Sequence, residues 1–295
     1  MMSAPAERAP ARLRPVSCPV CAGAPSRAVL DLSFLPDAPP GMYLVRCAGC
    51  GCERIDPQPL PEDLAAGYDT AYYADGYLPF EARRRADFRH RVEELADFAP
   101  IRAARAAGRP PRILDIGAGL GWFALEAMQA GFEVAAFEPS GAARDLARER
   151  LGLELRADWP AAVEPFDVVT LWDVLGHVAD PVATLAAARA RLGTGGGIVV
   201  KVPNFRSAWH RVRRHMAARR GVNILHATTV VWRPDRRALG RLLDRTRFRP
   251  ESVTTVREPD LVPLTPRWRL VRRLTDPVDR LFDNRDELIL RARAC

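Results

Sequence analysis

The stretch from Arg112 to Glu138, "RILDIGAGLGWFALEAMQAGFEVAAFE", constrains the fold more than any other, because it reads in order as strand, glycine turn, helix, strand and terminal carboxylate. Ile113 and Leu114 supply a short apolar strand. Gly117, Gly119 and Gly121 follow at alternate positions, where the backbone must turn sharply and let a ligand approach it. A helix is expected from about Leu120, with Trp122, Phe123, Leu125 and Met128 as its apolar positions. Gly131 closes it, as a glycine just past a helix end often does. The second strand, "FEVAAF", ends on Glu138. This succession is the ligand-binding half of an α/β domain.

A carboxylate at the end of the second strand can accept hydrogen bonds from both hydroxyls of a ribose. A dinucleotide site uses G-x-G-x-x-G, whose helix N-terminus cradles a pyrophosphate. Here the pattern is Asp115 followed by three alternating glycines. Asp115 would repel a pyrophosphate but suits a ligand with an ammonium group and a positive sulfur, and the glycine pattern alone leaves other nucleotides open. On these residues the chain resembles the class I S-adenosylmethionine-dependent methyltransferases. The resemblance implies a doubly wound, mostly parallel, seven-stranded Rossmann-like sheet with S-adenosyl-L-methionine held by Asp115, Gly117, Gly119, Gly121 and Glu138. It extends to "LELRA", a third strand ending at Asp158 and Trp159, where family members often place a carboxylate on the adenine amino group and an aromatic on the purine. An ordinary strand-end acid and a core tryptophan remain the alternative.

"FDVVTLWDVLGHVADP" resembles the family's fourth strand and the loop after it, which lies where such sheets bind ligands. Many relatives carry Glu-His where this chain has Gly176 and His177, which puts in doubt any mechanism needing an acid at 176. His177 is the first candidate for a catalytic base. Asp173 would orient it or contact the methionine end of the cofactor. His226, matching a histidine that relatives carry before their next helix, is the second candidate. A lone histidine is more often structural than catalytic. "GTGGG" at 193–197 reads as a tight helix-to-strand turn, since no Lys-Ser/Thr pair follows to make a phosphate loop. An insertion on the substrate side is expected over about 204–232, within a methyltransferase domain spanning 111–295.

Five of the six cysteines lie in the first fifth of the chain. Cys18 and Cys21 form one C-x-x-C knuckle, and Cys47 and Cys50 form another about 25 residues on. Two knuckles can supply the four thiolates of a closed structural zinc site. Cys52 reads as a bystander or an exchange partner for Cys50. A small zinc ribbon is therefore expected over 16–57, after an N-terminus rich in Ala, Pro and Arg over 1–15 that reads as disordered. A linker and lid helix would occupy 58–110, and Tyr68, Tyr72, Tyr73 and Tyr77 there either pack the linker or line an acceptor pocket. The ribbon, the "P-x-P" linker and the tyrosines further resemble a methyltransferase subgroup that includes sugar and small-molecule enzymes.

The 295 residues are 48% hydrophobic and 27% charged, as in a soluble globular protein. No apolar run nears the roughly 20 residues that span a bilayer. With no signal-like apolar core at the N-terminus, the chain is read as cytoplasmic. The net charge of +8 would admit nucleic acid or an anionic membrane as partner. Lys201 is the only lysine, however, and an arginine-dominated bias fits GC-rich coding as well as anion binding, so nucleic acid is disfavoured. Basic amphipathic segments at 207–220 and 266–283 keep peripheral membrane contact open, and the oligomeric state is not legible. The function expected is methyl transfer to a small-molecule acceptor through O, N or C. The alternatives are an RNA or lipid-linked acceptor docked through the basic surface, and a non-catalytic scaffold that binds the cofactor.

Overall fold

The computed structural model describes residues 12–35, 38–158, 165–220 (217–220 by backbone only), 229–257 and 264–295. The N-terminal segment forms β1 (Leu13–Arg14), β2 (Ser26–Asp31), β3 (Tyr43–Cys47), β4 (Glu53–Asp56) and β5 (Gln58–Pro59). β2, β3 and β4 pair antiparallel as a meander. Its apolar side chains, Leu32, Met42, Leu44 and Ile55, are fully buried. Four helices follow: α1 (Pro61–Ala65), α2 (Thr70–Gly76), α3 (Glu81–Leu95) and α4 (Ala99–Ala106). The lid helix expected within 58–110 is divided, with α3 and α4 separate. Phe98, extended at φ −71° and ψ 132°, and Pro100 in the first turn of α4 explain the break, because proline restarts a helix more readily than it continues one.

The alternating core comprises β6 (Arg112–Ile116), α5 (Trp122–Gln129), β7 (Glu133–Phe137), α6 (Gly141–Leu151), β8 (Phe166–Trp172), α7 (Pro181–Arg189) and β9 (Leu192–Pro203). Beyond it come α8 (Ala208–Arg220), β10 (Trp232–Arg233), α9 (Arg236–Arg245), β11 (Phe248–Val256), α10 (Pro266–Leu281) and β12 (Glu287–Ala294). The main sheet runs β11-β12-β9-β8-β6-β7. β6 to β9 are parallel, and β12 is antiparallel to both of its neighbours. Ile113, Leu114, Val168, Val169, Val199 and Val200 are buried without alternation, as expected of strands covered on both faces. The chain turns back at β6, between β7 and β8, so a ligand crevice opens at the carboxyl ends of these strands.

Two expectations are corrected. Among the described residues the main sheet has six strands, not seven. The "LELRA" segment contributes one parallel bridge, Phe137 to Arg156. Only Leu155 in it is buried, and Glu154 and Arg156 point to solvent, so burial rewards no longer pairing. The glycines at 193–197 are part of β9 rather than a separate turn, with a register shift opposite Phe166 and Val168. At Gly197 a Cβ would meet Phe98 Cζ at 2.5 Å and the Ala292 carbonyl oxygen at 2.9 Å. Glycine there lets the aromatic ring at the start of α4 press directly on the sheet.

The cysteine-bearing meander is bonded into the rest of the molecule. β10, from the region beyond α8, pairs with β4 and makes the smaller sheet β10-β4-β3-β2. Arg245 donates to the Pro19 carbonyl at 3.1 Å, and Arg206 donates to the Gly51 carbonyl at 3.4 Å. α8 packs on α10 through Trp209 and Trp268, whose rings lie 5.5 Å apart. Asp279 accepts from the backbone N–H groups of Ala208 and Trp209 at the start of α8.

Candidate functional site

The turn after β6 takes the form its glycines permit. Gly117, Gly119 and Gly121 have φ of 68°, 56° and 78°, a left-handed region costly to other residues. At Gly117 a Cβ would also lie 2.6 Å from Val174 Cγ2, so the turn and the loop after β8 touch only because that atom is missing. The N–H groups of Gly117 and Ala118 both donate to the Phe137 carbonyl, fastening the turn to β7. Glu138 is buried and accepts from Gly119 N at 2.8 Å and Ser140 N at 2.9 Å. Asp115 is 1% exposed. Its Oδ1 accepts from Thr170 Oγ1 at 2.7 Å, while Oδ2 has no partner. Burial pushes the Asp115 carboxyl up to about 7 and raises Glu138 as well. A buried carboxylate with one unsatisfied oxygen is a receptor for a cation or a donor.

Opposite the turn stands an aromatic wall. Asp69 caps α2 by accepting from Tyr72 N. Tyr72 meets Tyr68 and Tyr73 edge to face, and Tyr77 packs on Tyr72 and Tyr73 at tilted angles. Trp122 lies 6.3 Å from Tyr77, and the Arg84 guanidinium lies 4.5 Å over the Tyr77 ring. The Tyr68 hydroxyl is 2.7 Å from His177 Nδ1. Burial lowers the His177 pKa, opposed by the charge of Asp173 and by a hydrogen bond to the backbone of Thr229. Burial thus favours the neutral imidazole of His177.

Asp173 follows β8 directly and has φ 60°, unusual for a residue bearing a Cβ. Lys201 holds it at 2.8 Å and also pairs with Glu287 at 2.7 Å. Burial works against the lysine charge, but the two carboxylates outweigh it and raise its pKa. Gly176 stands where the resemblance implied an acid. Its carbonyl accepts from both Val231 N and Trp232 N, and a Cβ there would come within 3.1 Å of the Trp232 carbonyl and 3.0 Å of Val230 Cγ1. The chain leading into β10 passes over that spot and leaves little room for a side chain at 176.

One cavity brings together Asp115, Gly117, Gly119, Glu138, Asp173 and His177. Gly121 is not among its lining residues. It caps α5 instead, beneath Leu153 and Leu155. Asp158 is exposed and does not line the cavity. Trp159 and His226 lie outside the described residues. Arg84, Phe88, Trp122 and Trp172 also line it. Trp122 carries a sequence signal only as an apolar helix position, and Arg84 carries none. Lys201 carried a usable signal, a lone lysine in the apolar run "IVVKVP" of an arginine-rich chain.

The Sγ atoms of Cys18, Cys21, Cys47 and Cys50 all lie within 4.8 Å of one another. Cys21 and Cys47 are 3.1 Å apart, and Cys18 and Cys50 3.5 Å. Ligands about 2.3 Å from a tetrahedral zinc would lie about 3.8 Å apart, so the set suits that ion with little adjustment. Cys52 lies outside this set of four but beside it, its thiol in contact with that of Cys18 and 3.5 Å from the Glu53 carbonyl oxygen.

A family model described as a methyltransferase domain matches residues 80–253, over half of the chain. No curated protein matches it. Similar solved structures include the 1,6-didemethyltoxoflavin N1-methyltransferase of Burkholderia thailandensis, with bound 1,6-didemethyltoxoflavin and S-adenosylhomocysteine. It is 19% identical, covering 84% of this chain and 96% of that one at a TM-score of 0.45. The geranyl diphosphate C-methyltransferase of Streptomyces coelicolor A3(2) is 17% identical, with 70% and 76% covered and a TM-score of 0.47. An amino pentose methyltransferase from Micromonospora echinaspora is 33% identical over 40% of this chain and 53% of that one, at a TM-score of 0.34.

Proposed function

This chain belongs to the methyltransferase-domain family, and we propose that it transfers the methyl group of S-adenosylmethionine to a small-molecule acceptor bound against the tyrosine wall. The observation that carries this reading is the buried Asp115 with its unpartnered Oδ2, beside Gly119 and Glu138 in a cavity whose far side is Tyr68 and His177. S-adenosylmethionine, when bound, supplies an electrophilic methyl on a positive sulfur. Asp115 would hold its cationic methionine end, with Asp173 on the same side. Glu138, which uses one lone pair on each oxygen for Ser140 and Gly119, keeps others for two ribose hydroxyls.

On the acceptor side, the Thr229 backbone contact leaves Nδ1 of His177 as the accepting nitrogen toward Tyr68. Tyr68 can give its proton to Nδ1 as it takes one from an acceptor hydroxyl, so His177 serves as base through the phenol. Proximity of donor and acceptor supplies most of the acceleration. In the same reading, Cys18, Cys21, Cys47 and Cys50 hold a structural zinc with no open coordination position, in a ribbon over residues 16–57 that borrows β10 from the domain at 111–295. Calorimetry tests the donor assignment. The protein should bind S-adenosylmethionine, and Asp115→Asn should weaken binding at least about tenfold. A wild-type protein that does not bind it would overturn the proposal.

A further inference from the structure

Seven large hydrophobic side chains are strongly exposed among the described residues, and five of them lie on α10 or just past its end. Leu270, Leu274, Val278, Leu281 and Phe282 are between 46% and 79% exposed. Steps of four, four and three residues place the first four on one side of the helix. The opposite side is held to the protein mainly by polar groups. Arg272 pairs with buried Asp286, Asp279 caps α8, and Trp268 meets Trp209. The polarity of an ordinary surface helix is therefore inverted, with charge inward and leucine outward.

The margins of the stripe are cationic. Arg267, Arg269, Arg273 and Arg280 are exposed. Among the described residues the first three form no ion pair, and Arg280 reaches Asp276 only at 4.0 Å. A second copy of the chain is a poor occupant. A helix of 16 residues is about 24 Å long, and its face offers a few hundred Å², against about 800 Å² per partner in a standard interface. Two such faces would also bring arginine against arginine. An anionic lipid surface answers both properties, since interfacial helices bury leucines below the headgroups and pair arginines with them.

We propose that α10 seats the protein on an anionic phospholipid surface, with Leu270, Leu274, Val278 and Leu281 inserted and Arg267, Arg269 and Arg273 on the headgroups. α10 leads into β12, whose first residue pairs with Pro203 at the carboxyl end of β9. The lipid would thus meet the sheet edge on which the cavity opens. The proposal stands on this surface alone and is independent of the methyl-transfer reading.

Sedimentation of the full chain with vesicles of phosphatidylglycerol and phosphatidylcholine, against pure phosphatidylcholine, tests it. Binding should favour the anionic vesicles and weaken as salt rises. Leu270→Glu with Leu274→Glu should abolish binding at unchanged melting temperature and circular dichroism, since both side chains are exposed. Arg269→Ser and Arg273→Ser should each lower partitioning about fivefold. Absence of binding to anionic vesicles, or binding that survives the double leucine substitution, overturns the proposal. So does a dimer in analytical ultracentrifugation that the same double substitution dissolves, which would make a second copy the occupant.

Discussion

The glycine turn after β6 and the loop after β8 face each other across one cavity but are held in opposite ways. The turn is fastened by its own neighbourhood: Gly117 and Ala118 bond the end of β7, and Gly119 bonds Glu138. The loop is fastened from afar. Tyr68 reaches His177 across 109 positions, Lys201 fixes Asp173, and Val231 and Trp232 bond the Gly176 carbonyl from the strand that also joins the cysteine sheet. A locally built half should tolerate distant change, whereas the remotely braced half should transmit it.

The largest effect is expected from the cysteines. Cys47→Ser with Cys50→Ser, or chelation, should reduce bound zinc from about one per chain to none by elemental analysis. On the scale of about 10 to 16 kcal/mol for structural zinc, it should also unfold the smaller sheet. Turnover should then collapse through β10 and Gly176, while S-adenosylmethionine affinity stays within a few-fold. Equal loss of both would erase the contrast between the two halves. Next in size, His177→Ala should lower kcat by about 10² to 10⁴ with cofactor affinity nearly unchanged, and Tyr68→Phe should follow it. Full activity in the histidine variant would remove His177 from the chemistry.

The donor half is probed by Asp115→Ala and Glu138→Ala, each expected to weaken S-adenosylmethionine about 10- to 100-fold in calorimetry. Normal affinity in both would displace the donor site. Gly176→Ala should be milder, a fall of a few degrees in melting temperature, because the added methyl must push aside Val230 and the Trp232 carbonyl. The smallest signature is a pH slope. Asp115 titrates near 7 when folded and near 3.8 when unfolded, so the folded chain binds the extra proton between those values. Without cofactor, stability should decline as pH rises through that window. Asp115→Asn should flatten the slope in thermal melts, and an unchanged slope would show that Asp115 is not its source.

Legibility followed the same division. The β6 turn, the helix after it and β8 were visible in the sequence, since apolar periodicity and glycine conformation act over a few residues. The spacing of the two knuckles likewise anticipated a cluster of four cysteines. The shrinkage of "LELRA" to a single bridge was not visible, because the extent of an edge strand depends on what it buries. Nor was the entry of Arg84 and Trp172 into the cavity wall, which only the packing of α3 and β8 around it could reveal.

By itself, then, the sequence determined the glycine turn and the alternating core, because backbone conformation and hydrophobic periodicity are properties of neighbouring residues. Only the tertiary structure decided that Gly176 stands under β10, that the lone lysine clamps Asp173, and that the leucines of α10 face outward. Those outcomes depend on which distant segments share a contact, and local composition does not encode that.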